Sequence, residues 1–141
     1  MEEELEIGAR HFILCRGVTF DVTHPKAPYT LHNLLSTVHA DRPGPLLTTN
    51  PIFAYVEYFG PAGDYEVWID LVCLEYDTYG EETEVTNYGP FLLSIRDGEF
   101  VHGRFYCLRR VPFQTGGIYE FQLRVAGTYQ PIVSQTIFVE E

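Results

Sequence analysis

Residues 52–75 read IFAYVEYFGPAGDYEVWIDLVCLE, and this stretch decides the fold class. Apolar and polar side chains alternate on both sides of a short Gly/Pro turn, residues 60–64, and such alternation is typical of strands with one buried face. In the second run, every other residue from Tyr65 to Cys73 is apolar, so we predict that this parity faces the core. The opposite parity carries Asp70, which we expect to point out of the core. We predict that the two runs pair as a hairpin.

The same alternation recurs along the chain, and 12 glycines and 9 prolines separate the apolar runs. About eight strands at this spacing predict an all-β, single-domain, two-sheet antiparallel β-sandwich of the immunoglobulin-like or C2-like kind. The dipeptide at 97–98, Asp-Gly, predicts a second hairpin, between residues 88–96 and 99–110. Gly17 interrupts the first run, where a glycine often marks a bulge or bend. Residues 29–40 fit a turn followed by a strand, which we favour, and also a short helix.

The chain has 141 residues, which is enough for one domain with a substantial core. We assign residues 1–8 to an acidic tail and residues 9–141 to the domain. The glutamates at 2–4 and 6 are the reverse of a secretory signal, which starts with positive charge and continues with an apolar stretch. No apolar run approaches the ~18 residues of a spanning helix. We therefore expect a cytoplasmic protein.

Residues 112–123, PFQTGGIYEFQL, resemble the Pro–x–x–Gly–x–Tyr–x–Phe–x–Leu ending of immunoglobulin-like sandwiches. The whole chain is similar to a family of small, uncharacterised bacterial all-β proteins with this ending. In that family a Phe–x–Leu–Cys strand, here Phe12 to Cys15, precedes a proline-broken loop, here residues 43–51, and a hairpin, here residues 52–74. The resemblance implies a sandwich fold and a bacterial source. It implies no active residues.

The charge of the chain argues against two classes of partner. Nine basic and 20 acidic residues give a formal net charge of −11. Binding to phosphate backbones and to anionic membrane surfaces needs a basic face, so we predict neither nucleic acid nor membrane as a partner. The sequence also contains no nucleophile elbow, P-loop, dinucleotide-binding glycine motif or zincin motif. We therefore favour a role that is not enzymatic, while activity stays open.

Cysteines and histidines give no metal-binding pattern. Cys15, Cys73 and Cys107 form no C-x-x-C pair, and each lies in an apolar run, so we predict three buried, reduced thiols. The five histidines include no H-x-H pair. We predict that most of them lie on the surface and that the protein holds no cofactor.

The acidic stretch after residue 74 is the one weak candidate for a metal site. Its potential ligands are Asp77, Glu81, Glu82 and Glu84. Loop carboxylates at the end of a sandwich can bind calcium, but this stretch lacks the repeated Asp-x-Asp arrangement that would gather several carboxylates around one ion. A solvated acidic loop is the interpretation that we favour.

Aromatic residues make up 15% of the chain and are dense around residues 52–75. Core packing explains part of this density, and an interaction surface is the alternative, since aromatic side chains are enriched at interfaces. The candidate interaction residues are Phe53, Tyr55, Phe59, Trp68, Val72 and Leu74.

The leading functional hypothesis is a non-enzymatic binding or assembly module, with a protein partner or self-association as a dimer through these residues. The alternative is a sandwich that binds a small molecule or a metal such as calcium or zinc, with or without enzymatic activity.

Overall fold

The chain folds into two facing sheets, as its alternating pattern predicts. The computed structural model describes residues 7–20, 23, 29–39, 46–48, 50–74, 85–96, 102–113, 116–128 and 130–140. Every regular element in these residues is a strand. No helix in them is long and apolar enough to cross a bilayer.

The strands are numbered in chain order. The four-stranded sheet has the spatial order β2 (Tyr29–Leu34), β1 (Gly8–Phe20), β5 (Ile52–Phe59) and β8 (His102–Leu108). The five-stranded sheet has the order β3 (Thr37–His39), β11 (Val133–Glu140), β10 (Gly117–Val125), β6 (Gly63–Cys73) and β7 (Val85–Ile95). A short pair joins β4 (Leu46–Leu47) to β9 (Pro112–Phe113). All pairs are antiparallel except β3 with β11, which confirms the predicted all-β sandwich.

The core lies between the sheets and is built from one parity of each central strand. On β5 the buried residues are Ile52, Ala54, Val56 and Tyr58, on β6 Val67, Ile69 and Leu71, and on β10 Tyr119, Phe121, Leu123 and Val125. The predicted inward parity of β6 is therefore correct, and β10 buries alternate residues in the same way. Ile7 is also buried, and Gly8 begins β1, so two residues of the predicted acidic tail are part of the fold.

The predicted hairpin over residues 52–75 is wrong. β5 pairs with β1 and β8, whereas β6 pairs with β7 and β10. The turn at residues 60–62 carries the chain from one sheet to the other, so that β5 and β6 face each other across the core. At Gly60 a side chain would come within 2.9 Å of the Ile7 backbone, at a φ of +154° that favours glycine. Alternation cannot distinguish these two arrangements, because it reports the buried face of a strand and not its neighbour.

The second predicted hairpin is wrong for the same reason. β7 belongs to the five-stranded sheet and β8 to the four-stranded sheet, and the Asp-Gly dipeptide between them lies outside the described residues. Residues 29–39 do form strands, β2 and β3, with no helix. A break at Leu35 and Ser36 takes the chain from one sheet to the other.

The three thiols are not equally buried. Cys15 is fully buried, whereas Cys73 and Cys107 are half-buried. Burial raises the pKa of the Cys15 thiol. Hydrogen bonds with the backbone of Gly17 and His32 lower the pKa but do not outweigh the effect of burial. The prediction of three inaccessible thiols therefore holds for Cys15 alone.

Two phenol groups form a hydrogen bond in the interior. The hydroxyl oxygens of Tyr58 and Tyr106 lie 2.7 Å apart, and the side chains are 0% and 7% exposed. Burial raises the pKa of both phenols, so both are neutral. Tyr106 also contacts Phe91 of β7, with ring centroids 4.7 Å apart. The pair therefore satisfies two polar atoms while its rings link the sheets.

We predict that these two hydroxyls stabilise the fold only as a pair. Tyr58→Phe leaves the Tyr106 hydroxyl without this partner and should lower the free energy of unfolding by about 1–3 kcal/mol. The double variant with Tyr106→Phe should lose less than the sum of the two single variants, because it leaves no orphaned hydroxyl. Urea unfolding followed by circular dichroism measures all three. Additive losses would contradict the pairing.

Candidate functional site

The residues predicted to form one interaction surface lie on opposite sides of the sandwich. Three of them project from the outer side of β5, namely Phe53, Tyr55 and Phe59. The other three lie on β6 or directly after it, namely Trp68, Val72 and Leu74. The core separates the two groups, so the structure does not bring them together.

The outer side of the four-stranded sheet carries a set of six apolar side chains, which we call the aromatic face. It consists of Ile13, Leu34, Phe53, Tyr55, Phe59 and Phe105. Ile13 and Phe105 flank Tyr55 on the neighbouring strands. Leu34, Phe59 and Phe105 are 69%, 44% and 42% exposed, and the other three are half-buried. The surface therefore spans all four strands of the sheet.

Two rings of the aromatic face lie over glycines of adjacent strands. Atoms of the Phe59 ring lie 2.5 Å from the position that a Cβ at Gly8 would occupy. The Tyr55 hydroxyl lies 2.7 Å from the corresponding position at Gly103, with ring atoms at 3.3 Å. Each ring occupies the space of the missing side chain and covers the glycine backbone, as aromatic residues do when they stabilise strand glycines.

A β-bulge places a charged cluster between these two rings. The register of β1 on β5 shifts between Ala9 and His11, so that Arg10 is the extra residue. Both Arg10 and His11 then reach Glu57: Arg10 Nε donates to Glu57 Oε2 at 2.6 Å, and His11 Nε2 lies 3.8 Å from the same oxygen. Bulges re-aim a side chain in this way and are frequent next to functional sites. Gly17, the position predicted to disturb β1, pairs regularly with β2.

Glu57 is the centre of this cluster. Its Oε1 accepts a hydrogen bond from the Tyr55 hydroxyl at 3.1 Å, so both carboxylate oxygens are engaged. Burial by itself would raise the pKa of Glu57. Hydrogen bonds from Arg10 and Tyr55, together with the positive charge of Arg10, outweigh that effect and lower the pKa. The carboxylate is therefore ionised at neutral pH.

The outer side of the five-stranded sheet is organised differently. Arg124 of β10 stacks on the Trp68 ring, 4.9 Å from its centroid, and its Nε donates to Asp70 Oδ2 at 3.1 Å. Asp70 was expected to point out of the core. It does lie on the outer side, but it is only 8% exposed, and Arg124 lies against it. Its Oδ1 is buried without a hydrogen-bond partner in the part of the chain that the structure describes. The guanidinium thus covers Trp68 and leaves less of that ring for a ligand.

The structure supplies no metal centre in the residues that it describes. No three histidine, cysteine, aspartate or glutamate side chains among them are placed to hold an ion. His32 contacts Thr19, and His39 lies 3.2 Å from Glu140, so these two histidines have separate partners. The weak calcium candidates lie outside the described residues, namely Asp77, Glu81, Glu82 and Glu84.

Comparison with known proteins gives one distant structural likeness. No protein-family model and no curated protein sequence matches the chain. Among solved structures, it is similar to the Pseudomonas fluorescens alkylpurine DNA glycosylase AlkC bound to DNA containing an abasic site analog, with a TM-score of 0.47 and 12% identity. The match covers 96% of this chain and 31% of that one, so the chain spans about a third of its length. A likeness at this level carries no argument about activity.

The prediction about partners is nevertheless corrected. It named a protein partner or a second copy and excluded nucleic acid, yet the solved structure that the chain resembles is bound to DNA. A net charge sums over the whole chain and does not describe any one surface, so the value of −11 cannot support that exclusion. The partner prediction is withdrawn as a whole.

Sequence reasoning missed several members of the site. Leu34 was missed because residues 29–40 fit both a strand and a short helix. Phe105 was missed because β8 was predicted to pair with β7. Ile13 could have been found, because it has the parity opposite to the core residues Phe12 and Leu14. The position of Arg10 beside Glu57 could not be predicted, because no residue pattern in β1 indicates the bulge.

The Arg10–Glu57 pair predicts a pH-dependent contribution to stability. A lowered pKa means that the ionised carboxylate stabilises the folded state above its ordinary value of 4.5 and that this contribution is lost as the pH falls through the lowered pKa. Glu57→Gln should therefore cost up to about 1 kcal/mol at neutral pH, since Arg10 is half exposed and solvent screens the pair. Below the lowered pKa the variant and the parent protein should differ little.

Urea unfolding across this pH range measures the difference, with Glu66→Gln as a control because Glu66 is an exposed carboxylate of β6. A difference that stays constant down to the lowest pH would show that Glu57 acts by packing and not by charge.

Proposed function

We propose that this chain is a non-enzymatic binding module and that the aromatic face is its binding surface. The observation that supports this most directly is the extent of the face, which runs over four neighbouring strands on the solvent side of a sheet. An antiparallel sheet with one solvated side ordinarily alternates apolar-in and polar-out. Here apolar side chains project from the solvent side of all four strands, and exposed apolar surface of this kind is a common mark of a binding site.

The composition of the face also suits a ligand. Binding sites are mostly apolar, with a few polar groups that fix the orientation of the ligand. Here the polar groups are Arg10, His11 and Glu57, and the flanking apolar groups are Tyr55 and Phe59. The hydrogen bonds among Arg10, Tyr55 and Glu57 hold these side chains in place before a ligand arrives. A pre-organised site loses less conformational entropy on binding.

The opposite face is the weaker candidate. Trp68 is half-buried beneath Arg124, and Asp70 is bonded to the same guanidinium. A ligand would have to break this contact to reach the indole ring. We therefore assign Trp68, Asp70 and Arg124 a stabilising role on the outer side of the five-stranded sheet.

The compartment belongs to the proposal as well. Cys15 is a buried thiol outside any disulfide, and reduced thiols fit the cytoplasm, where disulfides are rare. Cell fractionation of a tagged full-length chain tests this, and recovery outside the cytoplasm would contradict it.

We predict that at least one class of ligand stabilises the protein through the aromatic face. A thermal-unfolding screen would present neutral oligosaccharides, nucleotides with short DNA, fatty acids and peptides in separate arms. A ligand that binds only the folded state raises the unfolding midpoint by mass action, by about 2.7 kcal/mol of stability at a hundredfold excess over Kd. The rise should disappear in Phe59→Ser and in Phe105→Ser.

The matched control is Phe138→Ser. Phe138 is 47% exposed, which is close to Phe59 and Phe105, but it lies on β11 in the other sheet. Its substitution should leave the ligand-induced rise intact. The proposal fails if no arm gives a rise, or if Phe138→Ser removes the rise as completely as the two substitutions on the aromatic face.

A further inference from the structure

We propose that the cleft where the chain leaves β2 for β3 binds a short aliphatic chain that ends in an uncharged amide or hydroxyl group. The volume of this cleft is about 200 Å³. Five apolar and two polar residues line it, namely Phe12, Ile13, Leu14, Leu34, Leu35, Ser36 and Gln135. The site goes beyond the proposed function, because it shares only Ile13 and Leu34 with the aromatic face.

The cleft lies on an open side of the sandwich, between β1 and β11. β2 pairs with β1 only as far as Cys15, after which the Leu35 N–H donates to the Leu14 carbonyl. β3 pairs with β11 only from Phe138 onward. In the described part of the chain, no other strand pairs with this side of β1 or of β11. A ligand therefore has access to the space between the sheets from this side.

Gln135 is a polar residue at a position that the strand pattern reserves for the core. It has the parity of the buried residues Ile137 and Val139, and its partner on β10 is the fully buried Phe121. Such positions are ordinarily apolar, so a glutamine there is informative. The side chain is half-buried, and its Nε2 donates to the Thr136 carbonyl at 3.3 Å. Within the described residues, this bond leaves a second amide hydrogen and the amide oxygen for a ligand.

The backbone of β1 adds a second donor and acceptor to the cleft. The Leu14 carbonyl points to this side of the strand, where it accepts from Leu35. Because backbone polar groups alternate in direction along a strand, Phe12 directs its N–H and C=O to the same side as Leu14. Pairing between β1 and β2 begins only at Cys15, so no residue of β2 is the partner of Phe12.

The lining selects a ligand with an uncharged polar end. None of the seven lining residues is charged, so a carboxylate or an ammonium group would lose water there without gaining a counter-charge. The two polar side chains, Ser36 and Gln135, each donate and accept hydrogen bonds. An amide or a hydroxyl group also donates and accepts, so it matches both of them.

The apolar lining and the volume determine the length of the chain. Phe12, Leu14 and Leu35 are 5%, 2% and 7% exposed and form the inner wall, whereas Leu34 is 69% exposed and lies at the mouth. In another protein, an apolar cavity of about 150 Å³ holds a benzene ring, which has six carbons. A cleft of about 200 Å³ therefore suits a chain of about six to eight carbons.

A titration of the full chain, followed by methyl NMR, tests the proposal. The probes are butanamide, hexanamide, octanamide and decanamide. We expect saturable shifts of the methyl signals of Ile13, Leu34 and Leu35, with a Kd of about 1 mM for hexanamide. Each added methylene should tighten binding about fourfold up to octanamide, and decanamide should bind no more tightly. The methyl signals of Leu92, which is 72% exposed on β7, should not shift.

Two charged probes test the selection of an uncharged end. Hexanoate and hexylammonium have the same chain length as hexanamide, so they differ from it in charge. Each should bind about tenfold more weakly than hexanamide, because the cleft offers no counter-charge. Equal affinity for either charged probe would contradict the proposal.

The variant Gln135→Leu separates a binding role of this residue from a structural one. Leucine is close to glutamine in size and suits a position of core parity, so the variant should resist urea at least as well as the parent chain. Its affinity for hexanamide should fall about tenfold, because the polar end loses its partner. The matched control is Gln122→Leu on the outer side of β10, where Gln122 donates to Glu120, and this variant should bind as the parent chain does.

The remaining outcomes decide where the ligand lies. Phe59→Ser should bind hexanamide as the parent chain does, because Phe59 is not part of the cleft. Weaker binding by Phe59→Ser would place the chain on the aromatic face and overturn the proposal. Unchanged affinity in Gln135→Leu, weaker binding by Gln122→Leu, or the absence of saturable shifts would also overturn it.

Discussion

The register of β1 on β5 determines both what this protein buries and what it presents. β5 is paired on both sides, so each of its residues points either into the core or onto the outer side of the four-stranded sheet. One parity places Val56 and Tyr58 in the interior, and the other places Tyr55, Glu57 and Phe59 outside. The one-residue bulge at Arg10 brings a guanidinium and an imidazole to Glu57 without moving the rest of β1 out of register. Removal of that extra residue would shift one side of β1 to the wrong face.

Aromatic rings that pack over glycines of neighbouring strands recur in this sandwich. Phe59 lies over Gly8, Tyr55 over Gly103, and Trp68 against Gly89, where a Cβ would come within 3.0 Å of the indole. In each case a strand position without a side chain is covered by a ring from the neighbouring strand. The two sheets use this packing differently. On the five-stranded sheet Arg124 covers the indole, whereas Phe59 on the four-stranded sheet is 44% exposed.

The sequence was sufficient for the fold class and for the buried parity of the strands. Val67, Ile69 and Leu71 face the core as their spacing predicted, because a period of two directly reports which side of a strand is apolar. The sequence was not sufficient for strand partners. The turn at residues 60–62 joins two sheets and not two neighbours, because the same alternation suits both arrangements. Since this error paired β5 with β6, it merged two surfaces that the core separates.

The prediction of the candidate site depended on knowing which strands are neighbours. Phe53, Tyr55 and Phe59 were recognised as members of a surface, but their true neighbours Leu34 and Phe105 come from strands that only the correct topology places beside them. For Asp70, the side of the sheet was predicted correctly, but the burial of the side chain was not predicted. The parity of a residue predicts which side of the sheet its side chain lies on. Its burial also depends on whether neighbouring side chains such as Arg124 cover it.

The most direct test of this account is a proton NMR measurement of Gly8 and Gly103 in the uniformly labelled protein. The account predicts that their Hα protons shift upfield under the ring currents of Phe59 and Tyr55 and show nuclear Overhauser contacts to those rings. Ordinary strand shifts without such contacts would contradict it, because the two rings would then not lie over the glycines and the aromatic face would not have the arrangement that the proposed function needs.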